Sequence, residues 1–163
     1  MSGITDQSEE VAEGLTETSS VPVLVVDDDP SILQLLSEQL QNAFGDRFSV
    51  HTCVNSPDAI PLCQKLGIEI VLTDMNMDEV NGFHLLKTLK ENHPLIQVVM
   101  ITGLDPQNAM ESARAMGADD FFTKPVEMKE LGHCLQYLSR RIRRWRETIE
   151  GYHMRPTSEA NVG

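Results

Sequence analysis

Cysteine is scarce in this 163-residue chain. Cys53, Cys63 and Cys134 form an odd, widely separated set with no C-x-x-C pair and no paired histidines, which argues against a disulfide framework and a zinc site. They are expected to be reduced structural thiols. Long apolar runs are missing too. No stretch approaches the roughly 18 apolar residues that a membrane helix needs, and the start is acidic and rich in Ser, Thr and Glu rather than basic and then apolar. The expectation is a soluble cytoplasmic protein with no membrane partner. Basic residues are absent from positions 1–20, which hold Asp6, Glu9, Glu10, Glu13 and Glu17. They gather instead after residue 139, where six Arg face three Glu. With −5 before residue 21 and +3 after residue 139, residues 21–139 carry −10 of the net −12. So acidic a body argues against nucleic acid as a partner, and the chain contains no helix-turn-helix pattern. A second folded domain has no room at this length.

What is present is an alternation. Short runs rich in Val, Ile or Phe occupy 21–27, 47–54, 68–74, 95–102 and 119–123. Amphipathic segments follow them at 31–44, 57–66, 82–91 and 106–116, and a long one starts at 127. Residues 1–20 lack periodicity and aromatics and are expected to be a disordered acidic tail, as are 151–163. Five strands alternating with five helices predict an α/β fold: a doubly wound parallel sheet of (βα)5 type with flavodoxin-like order 2-1-3-4-5. In that order the first and third strands are neighbours, and ligands sit at the carboxyl edge where the order reverses.

That edge collects chemistry. The first strand ends in "DDDP", with Asp27, Asp28 and Asp29, and the third ends on Asp74. Asp29, before Pro30 and Ser31, suits a helix N-cap. The other carboxylates demand a cation, and hard oxygen ligands at a partly open site suit Mg²⁺. The fourth strand ends in "MITG" and the fifth in "FFTKP", adding the Thr102 hydroxyl and the Lys124 ammonium, with Pro125 favouring extended geometry at Lys124. A hydroxyl donor, a fixed cation and a metal beside one carboxylate suit a transferring phosphoryl group, with Asp74 as nucleophile in an aspartyl-phosphate.

Taken together, "VLVVDDDP", "IVLTDMNMDEVNGF", "VVMITG" and "GADDFFTKPV" resemble the receiver domain of two-component response regulators (CheY-like), over about residues 21–139. The resemblance implies Asp74 as phosphoacceptor, Asp27 and Asp28 as the acidic Mg²⁺ pair, and Asn76 as donor of a backbone carbonyl to the metal. It implies Thr102 and Lys124 as the phosphoryl-sensing pair and Phe121 as the aromatic switch. It also implies phosphorylation by a sensor histidine kinase or histidine phosphotransfer protein, and a downstream protein target at the face of helix 4, strand 5 and helix 5. Such a protein phosphorylates and slowly dephosphorylates itself but is otherwise not an enzyme. The sequence departs from the family pattern at Asp78, where proline is usual, and Glu79 follows it, so a looser loop and altered Mg²⁺ affinity are expected. Gly82 is retained, so the turn into helix 3 should survive.

Two rival readings remain. "DDDPS" loosely fits the nucleophile loop of haloacid-dehalogenase-like phosphatases, which would make Asp27 the nucleophile, with Thr102 and Lys124 as later polar residues. Against it, Ser31 stands where the loop threonine would be, Asp119 and Asp120 precede Lys124, and no cap is evident. The other rival is a phosphorylation-independent binding module, or pseudo-receiver. Beyond the receiver, Leu131, Leu135, Leu138, Ile142, Trp145 and Ile149 recur at spacings of 4, 3, 4, 3 and 4, amid Arg140, Arg141, Arg143, Arg144 and Arg146. A helix over 127–150 would be about 36 Å long. Its Arg-rich extension, 140–150, predicts a homodimer seam or a docking helix, or else a solvated stub.

Overall fold

The computed structural model describes residues 20–77, 81–103 and 106–153. The expected disorder of 1–19 and 154–163, and the expected influence of Asp78 and Glu79, lie outside the described residues. Five strands alternate with five helices: β1 (Val21–Val26), α1 (Pro30–Phe44), β2 (Phe48–Cys53), α2 (Ala59–Leu66), β3 (Ile70–Asp74), α3 (Gly82–Asn92), β4 (Gln97–Thr102), α4 (Pro106–Ala115), β5 (Asp120–Thr123) and α5 (Met128–His153). All strand pairs are parallel and the order is β2-β1-β3-β4-β5, as the alternation predicts.

Successive strand residues point to opposite faces, and each face carries its own apolar layer. Val23, Val25, Ile70, Leu72, Val99 and Ile101 pack with α1 and α5. Leu24, Val26, Val71, Val98 and Met100 pack with α2, α3 and α4. Because both faces are covered, β3 and β4 are buried along their whole lengths, which is why they read as unbroken apolar runs.

Local chemistry explains the element ends. Asp29 caps α1 by accepting the Ser31 N–H at 2.8 Å, with Pro30 in the first turn. Asn81 caps α3 in the same way, accepting from the His84 N–H at 2.9 Å. β3 begins two residues later than its apolar run, because Gly67 (φ 62°) turns the chain left-handed after α2 and the Ile68 N–H is spent on the Cys63 carbonyl, 3.0 Å away. β4 likewise begins at Gln97 rather than 95: the Ile96 N–H closes a turn onto the His93 carbonyl, and Leu95 is exposed.

The long C-terminal helix divides in two. Leu131, Leu135, Leu138 and Ile142, the first four residues of the seam, are buried in the domain's own core. Trp145 and Ile149 emerge, 54% and 39% exposed, and Tyr152 extends the same 3-4 spacing at 72%. The helix continues through Gly151 to His153, past its predicted end at 150, for about 39 Å in all.

Candidate functional site

The carboxyl edge of the sheet assembles the predicted residues. Asp27 follows β1, Asp74 ends β3, Thr102 ends β4 and Lys124 follows β5. Register holds them level. Val26 pairs with Thr73, Asp74 with Ile101, and Thr102 with Thr123. Two backbone bonds extend the ladders past the strand ends: Met75 N–H to the Ile101 carbonyl at 2.9 Å, and Lys124 N–H to the Thr102 carbonyl at 2.7 Å. The Lys124–Pro125 peptide bond is cis.

Lys124 Nζ lies 3.0 Å from Asp27 Oδ2 and 3.1 Å from Asp74 Oδ1, bridging the two acids. Asp27 Oδ1 accepts the Asp29 N–H at 2.9 Å, and Asp74 Oδ2 accepts the Asn76 N–H at 3.1 Å. Asp27 and Asp74 are buried while Asp28 reaches solvent, and oxygens of all three lie within 4.8 Å of one another. That set of hard oxygen donors, open on one side, fits a divalent cation such as Mg²⁺.

The electrostatics favour positive charge here. Burial pushes the Asp74 carboxyl above its ordinary range, outweighing the downward pull of Lys124 and of the Asn76 N–H, and the neighbouring Asp27 adds to the rise. Burial also works against the Lys124 ammonium, but Asp27 and Asp74 together outweigh it and hold Lys124 above its usual value. Both shifts have one meaning: this pocket gains by holding a proton or a cation.

Thr102 is fully buried at the end of β4. Phe121 lies on β5 opposite Met100, its ring half-buried against the layer that includes Ala109 and Ala113. It also borders an open groove of about 870 Å³ between β5, α4 and α5, with Met110 and Tyr137. Asn76 is exposed beside Asp74. Asp27, Asp28, Asp74, Asn76, Thr102 and Lys124 therefore lie on or beside this edge, whereas Phe121 sits two residues back along β5, facing the α4 side.

Two contributions go beyond the motif reading. Gly82, expected only to preserve the turn into α3, packs directly behind the Asp74 peptide: its N–H donates to the Met75 carbonyl at 3.0 Å, and a Cβ there would collide with the Asp74 carbonyl oxygen and lie 2.9 Å from Met75 Cα. Asp119 ties four elements together, accepting from Lys90 of α3 at 2.5 Å, the Val98 N–H of β4 at 2.8 Å and Arg141 of α5 at 2.9 Å, just before β5. Its place in "GADD" gives no local sign of that role. The three cysteines are buried and free, as expected of structural thiols.

Comparison with known proteins agrees with this geometry. Residues 23–136 match the family model described as the response regulator receiver domain. Over 143 residues the chain is 36% identical to the heme response regulator HssR of Staphylococcus aureus, covering 88% of this chain and 58% of that protein. The chain thus spans a little over half the length of that relative. The chemotaxis protein CheY4 of Vibrio cholerae superposes with a TM-score of 0.66 at 27% identity, over 73% of this chain and 98% of CheY4. A receiver domain protein of Clostridium thermocellum gives 0.69 at 26%, over 74% and 95%.

Proposed function

Because the chain belongs to the response regulator receiver domain family, we propose that it is a phosphorylation switch in which Asp74 takes a phosphoryl group from a phosphohistidine on a sensor histidine kinase or histidine phosphotransfer protein. The observation that carries this reading is the Lys124 ammonium held between the carboxylates of Asp74 and Asp27. A carboxylate able to attack phosphorus, a cation able to receive a phosphoryl oxygen and an acidic cluster at one point support this reading.

An Asp74 oxygen attacks phosphorus as the phosphorus–nitrogen bond to the donor imidazole breaks, and that imidazole keeps the bonding pair and takes up a proton. Asp27, Asp28 and Asp74, with the Asn76 carbonyl, would hold a Mg²⁺, which would supply charge neutralisation for the transferring group. Lys124 exchanges its Asp74 contact for a phosphoryl oxygen, and the Thr102 hydroxyl donates to another. Phe121 then follows Thr102 inward, and the face of α4, β5 and α5 shifts its population toward a form that binds a downstream protein. Water attack on phosphorus restores the Asp74 carboxylate. The chain works on itself in this scheme rather than on a turned-over substrate, in the cytoplasm.

Family membership supports this reading over the phosphatase built on Asp27. The test is intact mass after incubation with Mg²⁺ and acetyl phosphate, on the wild type, Asp74→Asn and Asp27→Asn. Gain of one phosphoryl group that vanishes in Asp74→Asn is the expected result. No gain from any donor, or a gain that survives in Asp74→Asn, overturns the proposal.

A further inference from the structure

The end of α5 projects beside the point where the chain enters β1. Arg146 pairs with Glu69, and the Glu69 N–H donates to the Pro22 carbonyl at 3.0 Å. On the neighbouring flank Val21 lines a cavity of about 530 Å³ with Phe44, Arg47, Phe48, Ser139 and Arg143. Whatever precedes Val21 therefore leaves the domain next to Arg47, Arg143 and Arg146.

This overhang has two unmet needs. Trp145 and Ile149 continue the buried face of α5 into solvent, an apolar pair at a spacing that fits a partner. Arg47, Arg140, Arg143 and Arg144 make no ion pair among the described residues, whereas Arg141 and Arg146 are already matched by Asp119 and Glu69. A second copy answers the first need and worsens the second, since a two-fold interface sets the same arginines against each other. From Ile142 to Ile149 the stripe covers only eight residues, well short of the three heptads a self-standing coiled coil needs.

The segment before β1 has the complementary chemistry. It carries Asp6, Glu9, Glu10, Glu13 and Glu17 without one Lys, Arg or His, and Ile4, Val11 and Leu15 lie among them. Its 19 residues reach up to about 60 Å when extended, against about 15 Å of overhang. Tethering at Ser20 gives it an effective concentration on the order of millimolar, so even a weak contact is populated.

We propose that residues 1–19 dock back on the overhang of α5, their carboxylates against Arg47, Arg140, Arg143 and Arg144 and their apolar side chains over Trp145 and Ile149. The segment masks the seam and excludes a second copy from it. This holds whether or not Asp74 is phosphorylated.

Trp145 is the only tryptophan in the chain, so its fluorescence reports directly on the seam. The experiment compares acrylamide quenching in the full-length wild type with a full-length variant carrying Asp6→Asn, Glu9→Gln, Glu10→Gln, Glu13→Gln and Glu17→Gln. A second variant carries Arg140→Gln, Arg143→Gln and Arg144→Gln, all exposed positions. Light scattering and far-ultraviolet dichroism accompany each sample. The expected result is a monomer in which Trp145 is quenched about threefold less in the wild type than in either variant, with its emission at shorter wavelength, independent of protein concentration. Raising NaCl to about 1 M, where the screening length falls to about 3 Å, should move the wild type toward the variants. Equal quenching in all three proteins overturns the proposal. So does protection that grows with concentration alongside a doubled mass, which would assign the seam to a second copy.

Discussion

Replacing Gly82 by alanine should damage stability and chemistry together. The added methyl would meet the Asp74 carbonyl oxygen head-on, with Met75 Cα at 2.9 Å and the Asp74 carbonyl carbon at 3.1 Å. These are backbone atoms, so no side chain can rotate away. Overpacking of this kind costs roughly 1–3 kcal/mol. Loss of the Gly82 N–H bond to the Met75 carbonyl adds about 1 kcal/mol. A total near 3 kcal/mol lowers Tm by about 10 °C for a domain of this size. The displaced peptide carries the Asp74 carboxylate with it, and a misplacement of about 1 Å costs on the order of 100-fold in rate. Thermal melts followed by dichroism, and phosphorylation rates with acetyl phosphate, check the two effects. The control is Gly103→Ala, where the nearest atom to a new Cβ is Lys124 Cδ at an ordinary 3.9 Å; its stability should stay within about 0.5 kcal/mol of wild type. A Gly82→Ala protein melting within about 2 °C of wild type would refute the packing argument.

Stability without metal should depend on pH through Asp74. Its carboxyl is held above the ordinary 3.8 in the folded chain, so its contribution is full below that value and is lost as pH rises through the folded one. In chelator, Asp74→Asn should lack that loss and melt higher than wild type at pH 7; identical pH profiles for the two proteins would contradict the burial cost. The thiols give a second check. Burial pushes Cys63 up to about 11 and also raises Cys53 and Cys134, so a thiol reagent at pH 8 should leave all three unlabelled until denaturant is added. Rapid labelling of the native chain would show that these sites open.

The parallel sheet was legible because each strand and helix announces itself within a short window, by period 2 or 3.6 and by its caps. "DPS" announced the start of α1, where Asp29 accepts the Ser31 N–H, while the Asn81 cap of α3 emerged only in the structure. The site was legible for a related reason. In a 2-1-3-4-5 sheet all carboxyl ends share one edge, so residues just past the strands must meet there. Asp27, Asp74, Thr102 and Lys124 could thus be placed before any distance was known. Asp119 could not, because its three partners come from α3, β4 and α5, up to 29 residues away, and nothing beside it marks it for burial.

Alone, the sequence determined the alternation of elements, the order of the sheet and the membership of its acidic edge, since local periodicity and the handedness of crossovers leave few alternatives. Tertiary structure decided how the charges are shared, with Lys124 bridging two carboxylates, because that depends on ångström differences in where β1, β3 and β5 end. It also decided how the α5 seam is divided. One uniform 3-4 spacing becomes core as far as Ile142 and open surface from Trp145, a boundary that depends on what packs against the helix and not on the spacing itself.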